Sequence, residues 1–197
     1  MIALLVSAAL AAPAGWNVTD ATADSGTCEL SLGPAETDGV IPMRAECVWK
    51  DVTLDQFKTK MSAWDHHDDY FTTVVESTIK TAGDKALVYQ MHRSSGISDR
   101  EVMITMWHEV VDGFERYAWN TATAEPLTVI KGNVRCARSE GYWQAKAEPT
   151  GGIRVVHLLS YDPGGSVPGF LVRWFQTSGL GTNATELHQS LRDGTVF

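Results

Sequence analysis

The sequence has few basic residues and no glycine-rich loop of the kind that holds phosphate. It contains 16 Lys and Arg against 24 Asp and Glu, which gives a formal net charge of −8. Nucleic-acid-binding proteins normally carry a basic surface, and adhesion to anionic lipid surfaces also needs positive charge. The composition therefore argues against a nucleic-acid partner and favours an apolar or cationic one.

The sequence also lacks the combination of low hydrophobicity and high net charge that keeps a chain disordered. Hydrophobic residues make up 44% of its 197 residues and charged residues 20%. This length suits one domain of ordinary size. No repeat or low-complexity linker divides the chain, so we predict one packed, soluble, acidic domain that acts as a monomer.

Cysteine is scarce, and no two of the three cysteines have the C-x-x-C spacing of zinc ribbons or thioredoxin-like redox sites. Cys28 and Cys47 flank a predicted hairpin turn at 36–39, and their midpoint lies inside that turn. They would therefore lie nearly opposite each other, within disulfide distance in an oxidising compartment. In a reducing cytosol both would be small buried hydrophobes, as we expect Cys136 to be in either case.

The first residues are uncharged up to residue 18, and residues 2–10 form a short apolar run. Two small-residue cleavage patterns follow and end at Ala11 and Ala14. This resembles the later part of a secretory signal peptide, although no Lys or Arg precedes the apolar run. We predict that residues 1–14 are a signal peptide and that the protein is exported to the periplasm or secreted. The alternative is an ordinary first strand or helix of a cytoplasmic protein.

The spacing of apolar residues predicts a long antiparallel sheet between two helical stretches. Thr53 is suited to be an N-cap, and apolar residues recur at three- and four-residue intervals from Leu54 to Trp64. The chain becomes helical again from Val167. Strand-length segments separated by turn residues lie at 27–33, 43–51, 72–81, 86–93, 100–111, 114–121, 134–139, 142–148 and 153–161. The predicted fold class is α+β, with a curved sheet around the last helix.

The predicted hairpin at 100–121 has one polar and one apolar face. A two-residue turn at 112–113 would place Glu109 opposite Arg116, which marks their face as the wetter one. It would also place Met106 opposite Trp119. The apolar face then carries Arg100, Val102, Ile104, Met106, His108, Tyr117 and Trp119. A guanidinium that enters an apolar concavity needs a partner from the protein or from a ligand.

The last predicted hairpin has a similar apolar face. With a loop at 150–152, Glu148 lies opposite Arg154. The inner face then carries Trp143, Ala145, Ala147, Val155, His157 and Leu159. The small alanine side chains leave room that a helix fills or that a ligand occupies.

No set of residues for catalysis or metal binding stands out. Ser166 lacks the closing glycine of a nucleophile elbow, and a helix start explains it better. The four polar residues at 66–69 are consecutive and point in different directions, so we expect a solvated loop and no metal site. Residues 17–19 and 183–185 match the glycosylation acceptor pattern. Strand histidines are expected to be hydrogen-bonded residues of a core or pocket: His92, His108 and His157.

Two stretches carry the pattern of a known family. In the first, at 89–104, the residues Ser98-Asp99-Arg100-Glu101-Val102 resemble the S-x-R-D-[FY]-V segment of START domains, the lipid-transfer modules related to the steroidogenic acute regulatory protein. The second, at 141–175, resembles the last two strands of that family and the DPGG segment that leads into its C-terminal helix. The resemblance covers about 20–195, which we take as one START-like domain.

The resemblance implies a helix-grip fold, in which a curved antiparallel sheet grips the C-terminal helix and encloses a hydrophobic tunnel. Glu101 departs from the family, which has Asp there. Gly179 and Gly181 interrupt the C-terminal helical pattern, and we expect them to kink the helix because Leu187 and Leu191 resume its period.

The resemblance also implies non-catalytic binding and transfer of a lipid or sterol-like molecule, with transient membrane contact and no cofactor. The matching arginine of START domains projects into the tunnel, so Arg100 would hold a ligand headgroup or form a structural pair; Gln90 is the first candidate partner and Glu76 the second. Segment 122–133 is the expected lid. The predicted ligand-binding residues are Arg100, Gln90, Ile104, Met106, His108, Tyr117, Trp119, Trp143, Val155 and His157.

Two other functions remain open on the same fold. Related folds include polyketide cyclases and aromatases, and such an enzyme would use His108 or His157 as its acid or base with Tyr117 as partner. The other is a sensory module that binds a ligand without moving it between membranes.

Overall fold

The computed structural model describes residues 12–20, 27–167 and 179–194. Most of the predicted signal peptide and the first part of the predicted last helix lie outside these residues. The described elements are β1 (Asn17–Asp20), β2 (Thr27–Leu32), β3 (Met43–Trp49), α1 (Leu54–Ser62), a 3-10 helix (Trp64–Asp69), β4 (Val74–Thr81), β5 (Lys85–His92), β6 (Arg100–Val111), β7 (Phe114–Thr121), β8 (Val134–Arg135), β9 (Arg138–Ala147), β10 (Ile153–Asp162) and α2 (Leu180–Asp193).

The strands form a single sheet in the order β1-β2-β3-β10-β9-β7-β6-β5-β4, with β8 paired to β6. All neighbours are antiparallel except β6 and β8. This α+β architecture, a large sheet with a C-terminal helix packed on it, confirms the predicted fold class. The first strand begins at Asn17, slightly before the predicted domain start at 20. The predicted strands at 134–139 and 142–148 are divided differently, because one continuous strand runs from 138 to 147.

The β2–β3 hairpin confirms the predicted cysteine pair. Cys28 lies directly opposite Cys47, and the two form a disulfide. The turn between the strands is closed by a hydrogen bond from the Gly39 amide to the Glu36 carbonyl at 2.9 Å. Cys136 is buried with a free thiol, as expected.

The β6–β7 hairpin has the predicted register. Asp112 and Gly113 both have positive φ, 52° and 77°, which is the backbone of a two-residue type I′ turn. This turn matches the right-handed twist of the strands, and it places Met106 opposite Trp119 as predicted. Glu109 and Arg116 form the expected ion pair at 3.6 Å.

The β9–β10 hairpin differs from the prediction by two residues. Arg154 lies opposite Lys146, because the Glu148 amide bonds the Gly152 carbonyl at 3.0 Å and tightens the loop to 149–151. Gly151 and Gly152 permit this loop by adopting positive φ. The shift is even, so every side chain keeps its predicted face. Arg154 still reaches Glu148 diagonally, with Nε and Oε1 2.6 Å apart.

Helix α1 begins at the predicted N-cap. The Thr53 side chain accepts from the Gln56 amide, and the Gln56 side chain accepts from the Thr53 amide at 2.7 Å, which completes a capping box. Phe57 and Met61 are fully buried on its inner side. The segment that follows corrects the prediction of a solvated loop at 66–69. It is a 3-10 helix that packs on β4, and its His67 is buried.

The core divides into three apolar clusters on the inner face of the sheet. One lies under α1 and the end of α2, the second between β5 and β6, and the third where Leu180 of α2 meets Leu30 and Met43. Helix α2 is fixed at its C-terminal end by a 2.7 Å contact between His188 and Asp51. Within the described ranges, none of the helices has both the length and the hydrophobicity of a membrane span.

Candidate functional site

A cavity of about 130 Å³ lies between the inner face of the sheet and the start of the described part of α2, where the three apolar clusters meet. The 3-10 helix and the residues after it close one side. The described residues that line it are Met43, His67, Phe71, Thr73, Val74, Gln90, His92, Ser94, Ile104, Met106, Trp119, Ser139, Trp143, His157, Leu159, Tyr161, Gly179, Leu180 and Asn183. The wall is therefore mainly apolar with scattered hydrogen-bonding groups.

Six of the ten predicted ligand-binding residues line this cavity. They are Gln90, Ile104, Met106, Trp119, Trp143 and His157. The His157 ring stacks on Trp143 with centroids 3.8 Å apart and planes within 11°. Trp119 fits against Gly141, where a Cβ would lie 2.0 Å from the Leu158 carbonyl oxygen and 3.1 Å from the Trp119 ring. Strand pairing thus brings together residues that are far apart in the sequence.

Three predicted residues share the inner face of the sheet but lie away from the cavity. Tyr117 is covered by α1, because its ring contacts Phe57 and its hydroxyl donates to the Lys58 carbonyl at 3.2 Å. Burial, with a smaller effect from the charge of Glu115, raises the pKa of Tyr117 to about 12. His108 lies near the tip of the hairpin, where its exposed ring contacts Glu115 at 2.7 Å. Val155 belongs to the packed cluster beneath the two helices.

Arg100 is the main correction to the predicted site. Its side chain is buried, but it points to the loop that follows β10 and does not line the cavity. Its guanidinium donates to the carbonyls of Ser98, Pro163 and, at 3.5 Å, Gly164. Neither predicted partner takes part, since Gln90 bonds His67 and Ser77 instead. The geometry therefore supports the structural role for Arg100.

The segment 122–133 is not a lid over this cavity, and none of its residues lines it. It crosses the outer face of the sheet, where the buried Glu101 carboxylate accepts from the Ile130 amide at 2.9 Å and from the Asn133 side chain at 2.6 Å. Glu101, which departs from the family motif, thus fastens this segment to β6.

Several polar residues of the cavity were not predicted from the sequence. His67 and Asn183 come from helical segments whose placement over the sheet depends on the tertiary fold. Asn183 also corrects the second glycosylation pattern, since it lines an interior cavity and its neighbour Ala184 is fully buried. The sequence did contain a signal for two other residues, because side chains two positions apart on a strand share a face. His92 follows Gln90 by two residues on β5, and Tyr161 follows Leu159 by two residues on β10.

Four polar residues of the cavity wall, His67, Gln90, His92 and Tyr161, form a hydrogen-bonded chain along one side of the cavity. Gln90 Nε2 donates to His67 Nδ1 at 3.2 Å and to Ser77 Oγ at 3.1 Å. Gln90 Oε1 lies 3.1 Å from His92 Nε2, and His92 Nδ1 lies 3.2 Å from the Tyr161 hydroxyl. Because Oε1 can only accept, His92 carries its proton on Nε2, and its Nδ1 accepts from Tyr161.

Burial makes the cavity histidines weak bases. It lowers the pKa of His92 to about 4 and that of His157 to about 3. Burial likewise lowers the pKa of His67 to about 4, although the Met61 carbonyl and Asp65 act in the opposite direction. All three rings are therefore neutral near pH 7. Across the described residues, no three His, Cys, Asp or Glu side chains lie close enough together to hold a metal ion.

The architecture of the chain matches that of solved structures. The chain is similar to a STAR-related lipid transfer protein fragment from Xanthomonas axonopodis, with 19% identity, coverage of 90% of this chain and 99% of that one, and a TM-score of 0.76. Human StAR-related lipid transfer protein 5 matches with 15% identity, coverage of 91% and 88%, and a TM-score of 0.78. This chain has the helix-grip fold of START domains.

The START-like fold is shared with proteins of other activities. An aromatase/cyclase from Streptomyces sp. R1128 matches with 10% identity, coverage of 78% of this chain and 96% of that one, and a TM-score of 0.51. No family model and no curated protein matches the sequence. At these identities the likeness establishes the START-like fold, and the function has to be argued from the cavity.

Proposed function

We propose that this START-like protein binds a hydrophobic small molecule, lipid or sterol-like, in the cavity between the sheet and α2, and that it transfers the molecule without changing it chemically. The observation that carries the proposal is the cavity itself. Its wall is formed largely by apolar and aromatic side chains, among them Ile104, Met106, Trp119, Trp143 and Leu159. Such a wall with a few polar groups is typical of sites for apolar ligands.

The size of the cavity sets a condition on this function. Small-molecule sites commonly measure about 300 to 1,000 Å³, whereas this cavity measures about 130 Å³. Micromolar binding needs about 8 kcal/mol, which corresponds to roughly 330 Å² of buried apolar surface at 25 cal/mol per Å². A whole lipid therefore requires the wall to open. Met43 and Met106 have the flexible side chains for such a change.

Export and transient membrane contact belong to the same proposal, with the protein acting as a monomer. The Cys28–Cys47 disulfide supports an oxidising compartment, because disulfides persist there and are rare in the cytosol. The net charge of −8 favours brief contact, since it opposes lasting adhesion to anionic lipid.

Catalysis is the second candidate function. The residues that line the cavity indicate a different acid and base from those predicted from the sequence. His108 and Tyr117 lie away from the cavity, while His92 and Tyr161 line it and hydrogen-bond each other. A cyclase or aromatase would therefore use the His92–Tyr161 pair, or His157, as acid and base.

The first test is mass spectrometry of the natively purified protein and of its organic extract. A carrier retains a co-purified apolar molecule in unchanged form, whereas an enzyme releases a product that differs from the molecule supplied. Transfer is measured with donor and acceptor vesicles that contain the extracted molecule. Binding without transfer supports the sensory alternative.

A matched pair of variants tests whether the cavity is the binding site. Leu159→Trp fills the cavity, while Leu158→Trp adds the same ring to the opposite face of the same strand. We expect Leu159→Trp to abolish retention of the ligand and Leu158→Trp to retain it. Equal retention by both variants would refute this cavity as the site.

A further inference from the structure

The polar groups in the cavity wall point to a particular class of ligand. Every described residue of the wall is uncharged at neutral pH, including its three histidines, whose rings burial keeps neutral. The guanidinium of Arg100, which the family resemblance assigns to a headgroup, is held by backbone carbonyls outside the wall. A charged ligand group would therefore enter this wall without a counter-charge from these residues, which is very costly.

Most hydrogen-bonding groups of the wall already have partners within the protein. His67 Nδ1, Gln90, His92 and Tyr161 are joined by hydrogen bonds along one side of the cavity, whereas the buried His67 Nε2 has no hydrogen-bond partner among the described residues. Trp119 Nε1 donates to the Ser139 hydroxyl at 3.2 Å. Apart from His67 Nε2, these groups have little remaining hydrogen-bonding capacity for a ligand.

Asn183 and His157 each have a polar atom that takes no part in these hydrogen bonds. The Asn183 side-chain oxygen and His157 Nδ1 are both buried, and neither has a hydrogen-bond partner within the described part of the chain. His157 is only 2% exposed. A buried polar atom without a partner destabilises the folded state, so the presence of these two atoms needs an explanation. Both atoms belong to residues that line the same cavity.

Asn183 lies in line with the buried residues of α2. It follows Leu180 by one helical turn, and the buried face of the helix continues through Ala184, Leu187 and Leu191. An apolar side chain at this position would complete the buried stripe without an unpartnered oxygen. The unpartnered amide oxygen of Asn183 therefore lowers the stability of the ligand-free protein. A ligand that donates a hydrogen bond to this oxygen would restore the lost stability.

We propose that the ligand is an uncharged, largely apolar molecule with a hydroxyl group, and that this hydroxyl donates to the side-chain oxygen of Asn183. His157 Nδ1 offers a second polar contact for the same molecule. The inference rests on the proposed function, since it assigns the ligand class of that cavity. It distinguishes a fatty or cyclic alcohol from a fatty acid, an alkylamine or a phospholipid.

The test uses the full chain, freed of co-purified lipid, and four probes with one alkyl skeleton: decanol, its methyl ether, decanoate and decylammonium. Binding is measured by calorimetry at neutral pH. We expect decanol to bind at least about tenfold more tightly than either ion, because the described residues of the wall offer no counter-charge. We expect the ether, which cannot donate, to bind a few-fold more weakly than the alcohol.

Two variants on α2 separate the role of Asn183 from a general effect on the helix. Asn183→Leu removes the unpartnered oxygen with similar volume, and Gln189→Leu makes a comparable change at an exposed position. We expect Asn183→Leu to raise the urea midpoint of the ligand-free protein and to remove the preference for alcohol over ether while ether binding persists. Gln189→Leu should change neither quantity.

The outcomes separate this inference from the proposed function. If decanoate or decylammonium binds as tightly as decanol, or if Asn183→Leu keeps the alcohol preference, the inference is overturned while hydrophobic binding stands. If none of the four probes binds and the native protein carries no extractable apolar molecule, the proposed function is overturned together with the inference.

Discussion

Acid should weaken the folded protein through His157, and the structure provides the size of the effect. The ring is buried against Trp143, and the desolvation that comes with burial lowers its pKa to about 3. In the unfolded chain the pKa of histidine is about 6.5. Between these two values the unfolded state binds a proton that the folded state does not bind. Stability is therefore full above about pH 6.5 and falls as the pH decreases towards the folded-state pKa.

Each pH unit below the unfolded-state pKa costs about 1.4 kcal/mol while His157 stays neutral in the folded protein. Between about pH 7.5 and about pH 4.5 this group alone should lower the free energy of unfolding by about 2 to 3 kcal/mol. A His157→Phe variant keeps an aromatic ring on Trp143 but does not titrate. Over this range the free energy of unfolding of the variant should fall by about 2 to 3 kcal/mol less than that of the unmodified protein.

The assay is urea unfolding followed by tryptophan fluorescence at several pH values between these limits. A Leu158→Phe variant, altered on the opposite face of the same strand, serves as the control and should follow the unmodified protein. Equal acid-induced losses in His157→Phe and in the unmodified protein would refute the reasoning, because they would mean that His157 accepts a proton in the folded state.

Three further predictions concern groups outside the cavity. Arg100→Met should lower the free energy of unfolding by about 2 to 4 kcal/mol, because it leaves buried carbonyls without a donor. It should weaken the binding of charged and uncharged probes equally. Selective loss of binding of the charged probes would show that Arg100 contacts the ligand. Glu101→Ala should speed hydrogen exchange at the Ile130 amide by about tenfold or more, because the amide loses its acceptor. Unchanged exchange would show that Glu101 does not hold segment 122–133 against the sheet. Replacing Cys28 and Cys47 by alanine should cost about 3 kcal/mol for the loop they close, and the unmodified protein should gain two alkylated thiols only after reduction.

The sequence predicted which face of the sheet each residue occupies, because alternation along a strand and the length of a hairpin loop are local properties. The turn at 112–113 was enough to place Met106 opposite Trp119. Even the two-residue error in the β9–β10 register left His157 and Trp143 facing the cavity, because an even shift preserves the face.

The sequence could not predict how far along the sheet the cavity extends. His108, Tyr117 and Arg100 share the face of Ile104, but each lies beyond an end of the cavity. What covers these ends comes from other parts of the chain: α1 covers Tyr117, and the loop after β10 takes up the Arg100 guanidinium. Strand periodicity carries no information about these long-range contacts.

The sequence by itself determined the α+β class, the opposed positions of Cys28 and Cys47, the capped helix and the faces of the hairpins, since each depends on local spacing. Only the tertiary structure decided the contents of the cavity wall. It brought His67 and Asn183 onto the sheet from helical segments and excluded Arg100. The reason is physical: hydrogen bonding and backbone geometry fix neighbours along and across strands, whereas the packing of separate layers fixes which side chains share an interior space.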